Sequence, residues 1–252
     1  MNCQLPLSNV ICLNRGIFSI CSANEFVLRA TFRKSRNTSK YVLIESTSNQ
    51  VNQFGGYTGM TPDIFVSYVK RIADSEGFPW AHLILGGDHL GPNRWRNEAA
   101  CNAMKNACTL VAAYVKAGYT KIHLDTSMRC KDDIGHDNTS LKVGIVAERA
   151  ARLCQIAEEV SDKEVKPYYI IGSDIPTPGG SKENLHNIHI TSVNEIIETI
   201  EITKARFYEL GLEDAWERVI AVVVQPGVEF GITNFMPYDR EAGRSSVIQL
   251  TA

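Results

Sequence analysis

An Asp-His pair lies at the centre of the segment GGDHLGPNRW, which spans residues 86–95. A carboxylate beside an imidazole can bind a divalent metal ion, and either group can move a proton. Adjacent residues on a regular strand face opposite sides of the sheet, so Asp88 and His89 would share a cavity only where the backbone departs from that geometry. Gly86 and Gly87 permit such a departure. We interpret the pair as a candidate site; the alternatives are a helix cap and a structural core histidine.

Further polar residues follow other apolar runs of the chain. His123 and Asp125 are two residues apart, so on a strand they share one face. The alternative is that His123 donates to a backbone carbonyl and Asp125 caps the next helix. Glu45 and Asp174 end two more apolar runs, and a carboxylate at the end of a buried strand needs a cation or a hydrogen-bond donor. All four residues are therefore candidates for the same site.

Two glycine-rich segments have two interpretations each. They are QFGGYTGM (residues 53–60) and TPGGS (residues 177–181). The amides of Gly55, Gly56, Gly179 and Gly180 could form a nest for a phosphate. Alternatively, the glycines only allow positive φ in long turns. Neither segment has the spacing of a Walker loop, so the sequence leaves both interpretations open.

The elements that must position these residues alternate along the chain. Short β-branched runs are typical of buried strands, and the segments between them have helical periodicity. Thr61 with Pro62 and Ser192 with Glu195 mark two helix starts, the second as a capping box. The predicted strands are 16–22, 40–46, 81–88, 120–127, 167–174 and 218–227, and the predicted helices are 61–76, 101–117, 144–160 and 192–210.

This alternation predicts an α/β fold with a parallel sheet covered by helices. A (β/α)8 barrel is favoured over an open nucleotide-binding sheet, because no G-x-G-x-x-G follows the first strand. Six βα units are found where a closed barrel has eight. We therefore expect residues 1–252 to form a single barrel domain that is truncated at its C-terminus. The polar residues would meet at the mouth formed by the carboxyl ends of the strands.

Composition excludes several classes of protein. A net charge of −2 provides no basic surface for nucleic acid. No apolar run approaches the roughly 18 residues of a membrane span, and no signal peptide is recognisable. The seven cysteines form no CxxC pair. They are interpreted as reduced thiols of a cytoplasmic protein. The charge and the lack of a long apolar run indicate that this protein binds neither nucleic acid nor membrane.

Five segments together resemble the Z-type subunits of class II D-tagatose-1,6-bisphosphate aldolase, a family long labelled as tagatose-6-phosphate kinases. The similarity extends over roughly residues 16–240, and the segments are SNQVNQFGGYTGMTP, LILGGDHLGPNRW, KIHLD, VAERAARLC and VVQPGVEF. The resemblance implies a (β/α)8 barrel and longer family members. It also implies a catalytic Y-type partner that uses zinc, with the Z-type subunit inactive alone but needed for full activity and stability of the partner. The implied pathways are galactitol and N-acetylgalactosamine catabolism.

The resemblance also bears on the Asp-His pair. Catalytic class II aldolases carry a similar pair, in which the histidine binds zinc and the aspartate handles the proton of the substrate. Asp88 and His89 match it, but Asp174 stands where the family usually has glutamate, and a catalytic zinc site normally has three protein ligands. A degenerate site in an accessory subunit is therefore expected, with no cofactor assigned.

The alternative is a metal-dependent sugar-phosphate epimerase or aldolase that acts on its own. A zinc ion bound by His89, His123 and Asp174 would then polarise a carbonyl group of a sugar phosphate. The carboxylates of Asp88, Glu45 and Asp125 would move the proton. A kinase is disfavoured, since the chain has neither a P-loop nor a kinase signature.

Overall fold

Six parallel strands form one sheet in the computed structural model, which describes residues 16–37, 41–134, 141–172, 190–230, 235–239 and 241. The strands lie in chain order. They are β1 (Ser19–Cys21), β2 (Val42–Thr47), β3 (Leu83–Leu90), β4 (Lys121–Leu124), β5 (Tyr168–Ile171) and β6 (Val219–Val222). Strands β7 (Glu229–Phe230) and β8 (Phe235–Met236) form a separate antiparallel pair.

Helices connect the strands. They are α1 (Glu25–Ser35), α2 (Pro62–Ser75), α3 (Ala100–Lys116), α4 (Val143–Val160), α5 (Val193–Glu209) and α6 (Glu213–Trp216), with 3-10 turns at Trp80–His82 and Pro92–Trp95. Each predicted strand and helix is present; the helix ends agree with the prediction within one residue, whereas most strands are shorter than predicted, by up to five residues at one end. The α/β fold class is thereby confirmed, with six parallel strands, of which the first five are followed by a helix in the described residues. The sheet has the strand order of consecutive strands in a βα barrel, and β1 and β6 are its two edges among the described residues.

Local signals mark where three of the described helices begin. Ser192 and Glu195 form the predicted capping box. Thr61 occupies the predicted N-cap position of α2 with Pro62 after it, although its hydroxyl contacts Asp63 and caps no backbone amide. Helix α1 was not predicted; Asn24 caps it by accepting from the amides of residues 26 and 27. None of the helices in the described ranges is long and apolar enough to cross a membrane.

The two faces of the sheet have different chemistry. The face towards the helices is the main core, in which Ile44 and Ile122 contribute to one cluster with Phe65, Leu110 and Tyr114. The opposite face carries a small apolar cluster at the amino ends of the strands, built on Leu43 and Ile84. Because side chains alternate along a strand, the next residues on this face are those at positions 45, 86 and 88, and they are polar or glycine.

A buried ionic network joins α4 to the amino ends of β5 and β6. Arg218 lies 2.7 Å from Glu158, and Tyr169 donates to the same carboxylate at 2.6 Å. Lys166 lies 2.9 Å from it on the other side. Burial alone would raise the pKa of Glu158, but the hydrogen bonds from Arg218, Tyr169 and Lys166 outweigh it and lower the pKa from 4.5 to about 2. The charged form of Glu158 therefore stabilises the fold.

Acid should weaken this network in a defined pH window. Since the folded pKa lies below the unfolded one, the stabilisation is complete above about pH 5 and is lost as the pH falls towards about 2. We expect Glu158→Gln to lower the free energy of unfolding by on the order of 2 kcal/mol at pH 7. The difference from the parent should shrink below pH 4 in urea titrations. Glu159→Gln, at an exposed position on the same helix, is the control and should change little. An equal loss at pH 7 and pH 3 would contradict the assignment.

Candidate functional site

Three adjacent strands place polar side chains on the face opposite the helices. Gly86 pairs in register with Glu45 on one side and with Lys121 on the other. A Cβ atom on Gly86 would lie 2.6 Å from Oε1 of Glu45, so the glycine leaves the room that the carboxylate occupies. Asp88 and His123 are each two residues further along their strands, and they form the next layer towards the carboxyl ends.

The lower layer is a buried ion pair. Nζ of Lys121 lies 2.5 Å from Oε1 of Glu45, and both side chains are more than 90% buried. The hydroxyl of Ser19 donates to the other carboxylate oxygen of Glu45. Glu45 therefore has the cation that its position on a buried strand requires. Lys121 was missed by the sequence analysis, although one signal was available: it precedes His123 by two residues on an otherwise apolar strand.

The upper layer brings Asp88, His89 and His123 together. Oδ1 of Asp88 lies 3.1 Å from Nδ1 of His123. The rings of His89 and His123 are 4.8 Å apart at their centroids. Both members of the Asp-His pair thus face the same side of the sheet, as they must if they share one cavity. The expected cause was wrong: the backbone departs from strand geometry at His89, whose φ is 48°, and the β3–β4 register shifts between Gly87 and Leu90.

Asp125 fixes the ring of His89. Its Oδ2 lies 2.8 Å from Nδ1 of His89, while Oδ1 accepts from the amide and hydroxyl of Ser127. Neither aspartate caps a helix, because α3 and α4 have Ala99 and Lys142 at their N-cap positions. The alternative for His123 is present in part: its Nε2 lies 2.9 Å from the carbonyl oxygen of Gly172, in addition to the contact with Asp88.

Neighbouring charges set the protonation of two groups in the site. Burial alone would raise the pKa of Asp88, but its contact with His123 and its interactions with His89 and Lys121 hold this pKa well below its usual value. Burial and the charges of Asp88 and Glu45 raise the pKa of Cys21 to about 12. Asp88 is thus ionised at neutral pH and Cys21 is a protonated thiol. Cys21 is accordingly not an activated nucleophile.

With this geometry established, comparisons with known proteins identify the family. The model of the family described as D-tagatose-1,6-bisphosphate aldolase subunit GatZ/KbaZ-like matches residues 9–251. The chain belongs to this GatZ/KbaZ-like family. A relative from Klebsiella pneumoniae named D-tagatose-1,6-bisphosphate aldolase subunit GatZ is 50% identical over 232 residues, which cover 91% of this chain and 54% of the relative. The subunit of the same name from Salmonella heidelberg is 49% identical with the same coverage.

A solved structure agrees with the GatZ/KbaZ-like assignment. It is titled a probable tagatose 6 phosphate kinase from Sinorhizobium meliloti 1021, with 44% identity and a TM-score of 0.79. The match covers 94% of this chain and 56% of that one. The present chain therefore spans about half the length of the relatives it matches.

In this GatZ/KbaZ-like chain, the loop after β2 uses its glycines for structure. The amide of Gly55 donates to the carbonyl of Asn52 at 2.9 Å, and that of Gly56 donates to the Asn52 side chain at 3.1 Å. Both glycines have positive φ, and a Cβ on Gly56 would lie 2.3 Å from the carbonyl oxygen of Gln50. Because both amides are already bonded within the loop, the structural interpretation holds and the phosphate nest at Gly55 and Gly56 is wrong.

Three other predicted positions, Asp174, Gly179 and Gly180, lie outside the described residues. Beyond the end of β6, Gln225 has its backbone amide bonded to Thr191 and its side chain bonded to the amide of Gly227, so it stabilises a turn and does not belong to the site. The site as described therefore consists of Glu45, Asp88, His89, Lys121, His123 and Asp125.

Proposed function

We propose that the chain acts as a non-catalytic accessory subunit of D-tagatose-1,6-bisphosphate aldolase. Its role is to support the activity and stability of a catalytic Y-type subunit in the cytoplasm, in galactitol or N-acetylgalactosamine catabolism. The observation that carries the proposal is the 50% identity over 232 residues to a protein named as a subunit of this aldolase. Because this relative is named as a subunit of the aldolase, the proposal includes a partner chain.

The geometry around Asp88 supports a role other than aldol cleavage. In the catalytic class II aldolases, whose Asp-His pair Asp88 and His89 resemble, the aspartate must exchange a proton with the substrate. Asp88 is instead held 3.1 Å from His123 and 3.7 Å from the ammonium group of Lys121. A carboxylate whose pKa is held well below its usual value stays ionised, and a general acid works best with a pKa near the working pH. Asp88 therefore functions poorly as a proton carrier.

A second candidate function is a metal-dependent epimerase or aldolase that acts alone on a sugar phosphate. The clustering of Asp88, His89 and His123 favours it, since one ligand atom of each lies within 4.8 Å of the others. An independent enzyme would need no partner for turnover. The two candidates therefore differ in a single measurable property, which is activity of the isolated chain.

A reconstitution assay separates the two. Cleavage of tagatose 1,6-bisphosphate is measured with a Y-type subunit alone, with this chain alone, and with both, each with added zinc. We expect this chain to be inactive alone and to raise the activity, or the half-life at 37 °C, of the Y-type subunit at least about twofold. The GatZ subunit of Klebsiella pneumoniae serves as the reference protein, and bovine serum albumin as the control for non-specific stabilisation.

Each outcome decides between the candidates. Stimulation by the Klebsiella subunit but not by this chain would overturn the accessory role. Turnover by this chain alone that disappears in Asp88→Asn would establish the second candidate instead. Stimulation that persists in Asp88→Asn would show that the accessory role depends on a surface away from the Asp-His pair.

A further inference from the structure

The hydrogen bonds of His123 determine which of its ring nitrogens carries a proton. Nε2 lies 2.9 Å from the carbonyl oxygen of Gly172, and a carbonyl only accepts, so Nε2 is the protonated nitrogen. Nδ1 is approached by the backbone N–H of His89 at 3.2 Å. In the neutral ring, Nδ1 accepts this long contact with its lone pair and also lies 3.1 Å from Oδ1 of Asp88, so a bound metal ion would take the place of the His89 amide.

His89 is oriented in the same way by a different acceptor. Its Nδ1 lies 2.8 Å from Oδ2 of Asp125, and a carboxylate only accepts, so Nδ1 donates. Nε2 is then the ring nitrogen that faces Asp88, with 3.7 Å to Oδ2. An imidazole that donates one N–H to a carboxylate or a backbone carbonyl, while the other nitrogen faces a shared point, is the arrangement of metal-binding histidines.

From these contacts we infer that Asp88, His89 and His123 form a binding site for one divalent transition-metal ion. The ligand atoms are a carboxylate oxygen of Asp88, Nε2 of His89 and Nδ1 of His123. The candidate ligand atoms lie within 4.8 Å of one another, and ligands on a tetrahedral ion with bonds of about 2.1 Å lie about 3.4 Å apart. Small side-chain rotations close this difference. Asp125 and the carbonyl of Gly172 act as positioning groups.

The donor set selects the class of ion. Two imidazoles and one carboxylate favour Zn²⁺, Co²⁺ or Fe²⁺ over Mg²⁺ and Ca²⁺, which prefer oxygen ligands. Lys121 does not occupy the site, because its ammonium group is closer to Glu45, at 2.5 Å, than to Asp88, at 3.7 Å. Three protein ligands leave at least one position open for water or a ligand. This set differs from the one expected from sequence, since Asp88 replaces Asp174.

Binding of the metal alone tests the site on the isolated chain. Zn²⁺ affinity is measured by competition with a chromogenic chelator, and Co²⁺ is added separately to record its visible d–d absorption. We expect one site that weakens more than about 100-fold in Asp88→Asn and in His89→Gln, together with loss of the Co²⁺ band. Asp125→Asn should weaken binding about 10- to 100-fold, as loss of a positioning group does.

Controls separate this site from the seven cysteines and the other histidines. His82→Ala removes a histidine outside the cluster and should bind like the parent. Circular dichroism melts establish whether each variant is folded. If His89→Gln does not fold, the near-isosteric variant Asp88→Asn still tests whether the site binds the metal. Equal Zn²⁺ affinity and stoichiometry in the parent and in folded Asp88→Asn would overturn the inference. Because no partner subunit is present, this result is independent of the proposed accessory function.

Discussion

Gly91→Ala is expected to lower the free energy of unfolding by about 3 kcal/mol or more. A Cβ atom at position 91 would lie 1.6 Å from the backbone oxygen of Asp125. The φ of Gly91 is 179°, an extended value that any residue adopts, so the requirement is for space alone. The collision is with backbone, which cannot rotate away as a side chain can. The carboxyl ends of β3 and β4 would have to separate, next to His89 and Asp125.

Urea denaturation followed by circular dichroism measures this effect. Gly144→Ala is the matched control, because Gly144 lies in α4 and its added Cβ would meet nothing within 4 Å. That variant should be neutral or stabilised by up to about 1 kcal/mol, since alanine favours helix more than glycine does. If the free energy of unfolding of Gly91→Ala lies within about 0.5 kcal/mol of that of the parent, the backbone at Gly91 does not approach Asp125 as closely as described.

Lys121→Met is expected to destabilise the chain by about 3 to 5 kcal/mol at pH 7, because it leaves a buried carboxylate without its cation. Glu45 is 5% exposed, and among the described residues its carboxylate would keep only the hydrogen bond from Ser19. The further substitution Glu45→Gln should recover most of this loss, since it removes the uncompensated charge. The two substitutions are therefore expected to be strongly non-additive.

A double-mutant cycle in urea gives the coupling between Lys121 and Glu45 directly. Lys105→Met, at an exposed position of α3, controls for removal of a lysine and should cost less than about 0.5 kcal/mol. Additive effects of Lys121→Met and Glu45→Gln would show that the pair does not act as a unit. A cost below about 1 kcal/mol for Lys121→Met alone would show that the pair is hydrated.

Much of the fold could be predicted because its signals are local. Strands buried on both faces are continuous apolar runs, so all six were located. Pro62 and the Ser192–Glu195 capping box marked helix starts within a few residues. Helix α1 was missed because its buried positions, Leu28 and Phe32, form a narrow apolar stripe among polar residues. Sequence patterns therefore established the order of the βα units.

The candidate site was predicted only in part. The sequence singled out Asp88, His89, His123 and Asp125 as polar residues at the ends of neighbouring strands, and parallel strands bring such ends together. It offered helix capping for Asp125, but the structure pairs this carboxylate with His89 across two strands. The partner of a carboxylate depends on distances between residues far apart in the chain, which local patterns do not contain.

By itself, the sequence determined the fold class, the succession of strands and helices, and the residue types available at the strand ends. Only the tertiary structure decided the Lys121–Glu45 ion pair, the positive φ of His89 and the shared face of the Asp-His pair. The physical reason is that periodicity and capping depend on neighbours within one helical turn or strand. Ion pairs, close backbone approaches and ring orientations depend instead on the register of strands that are separated by whole helices.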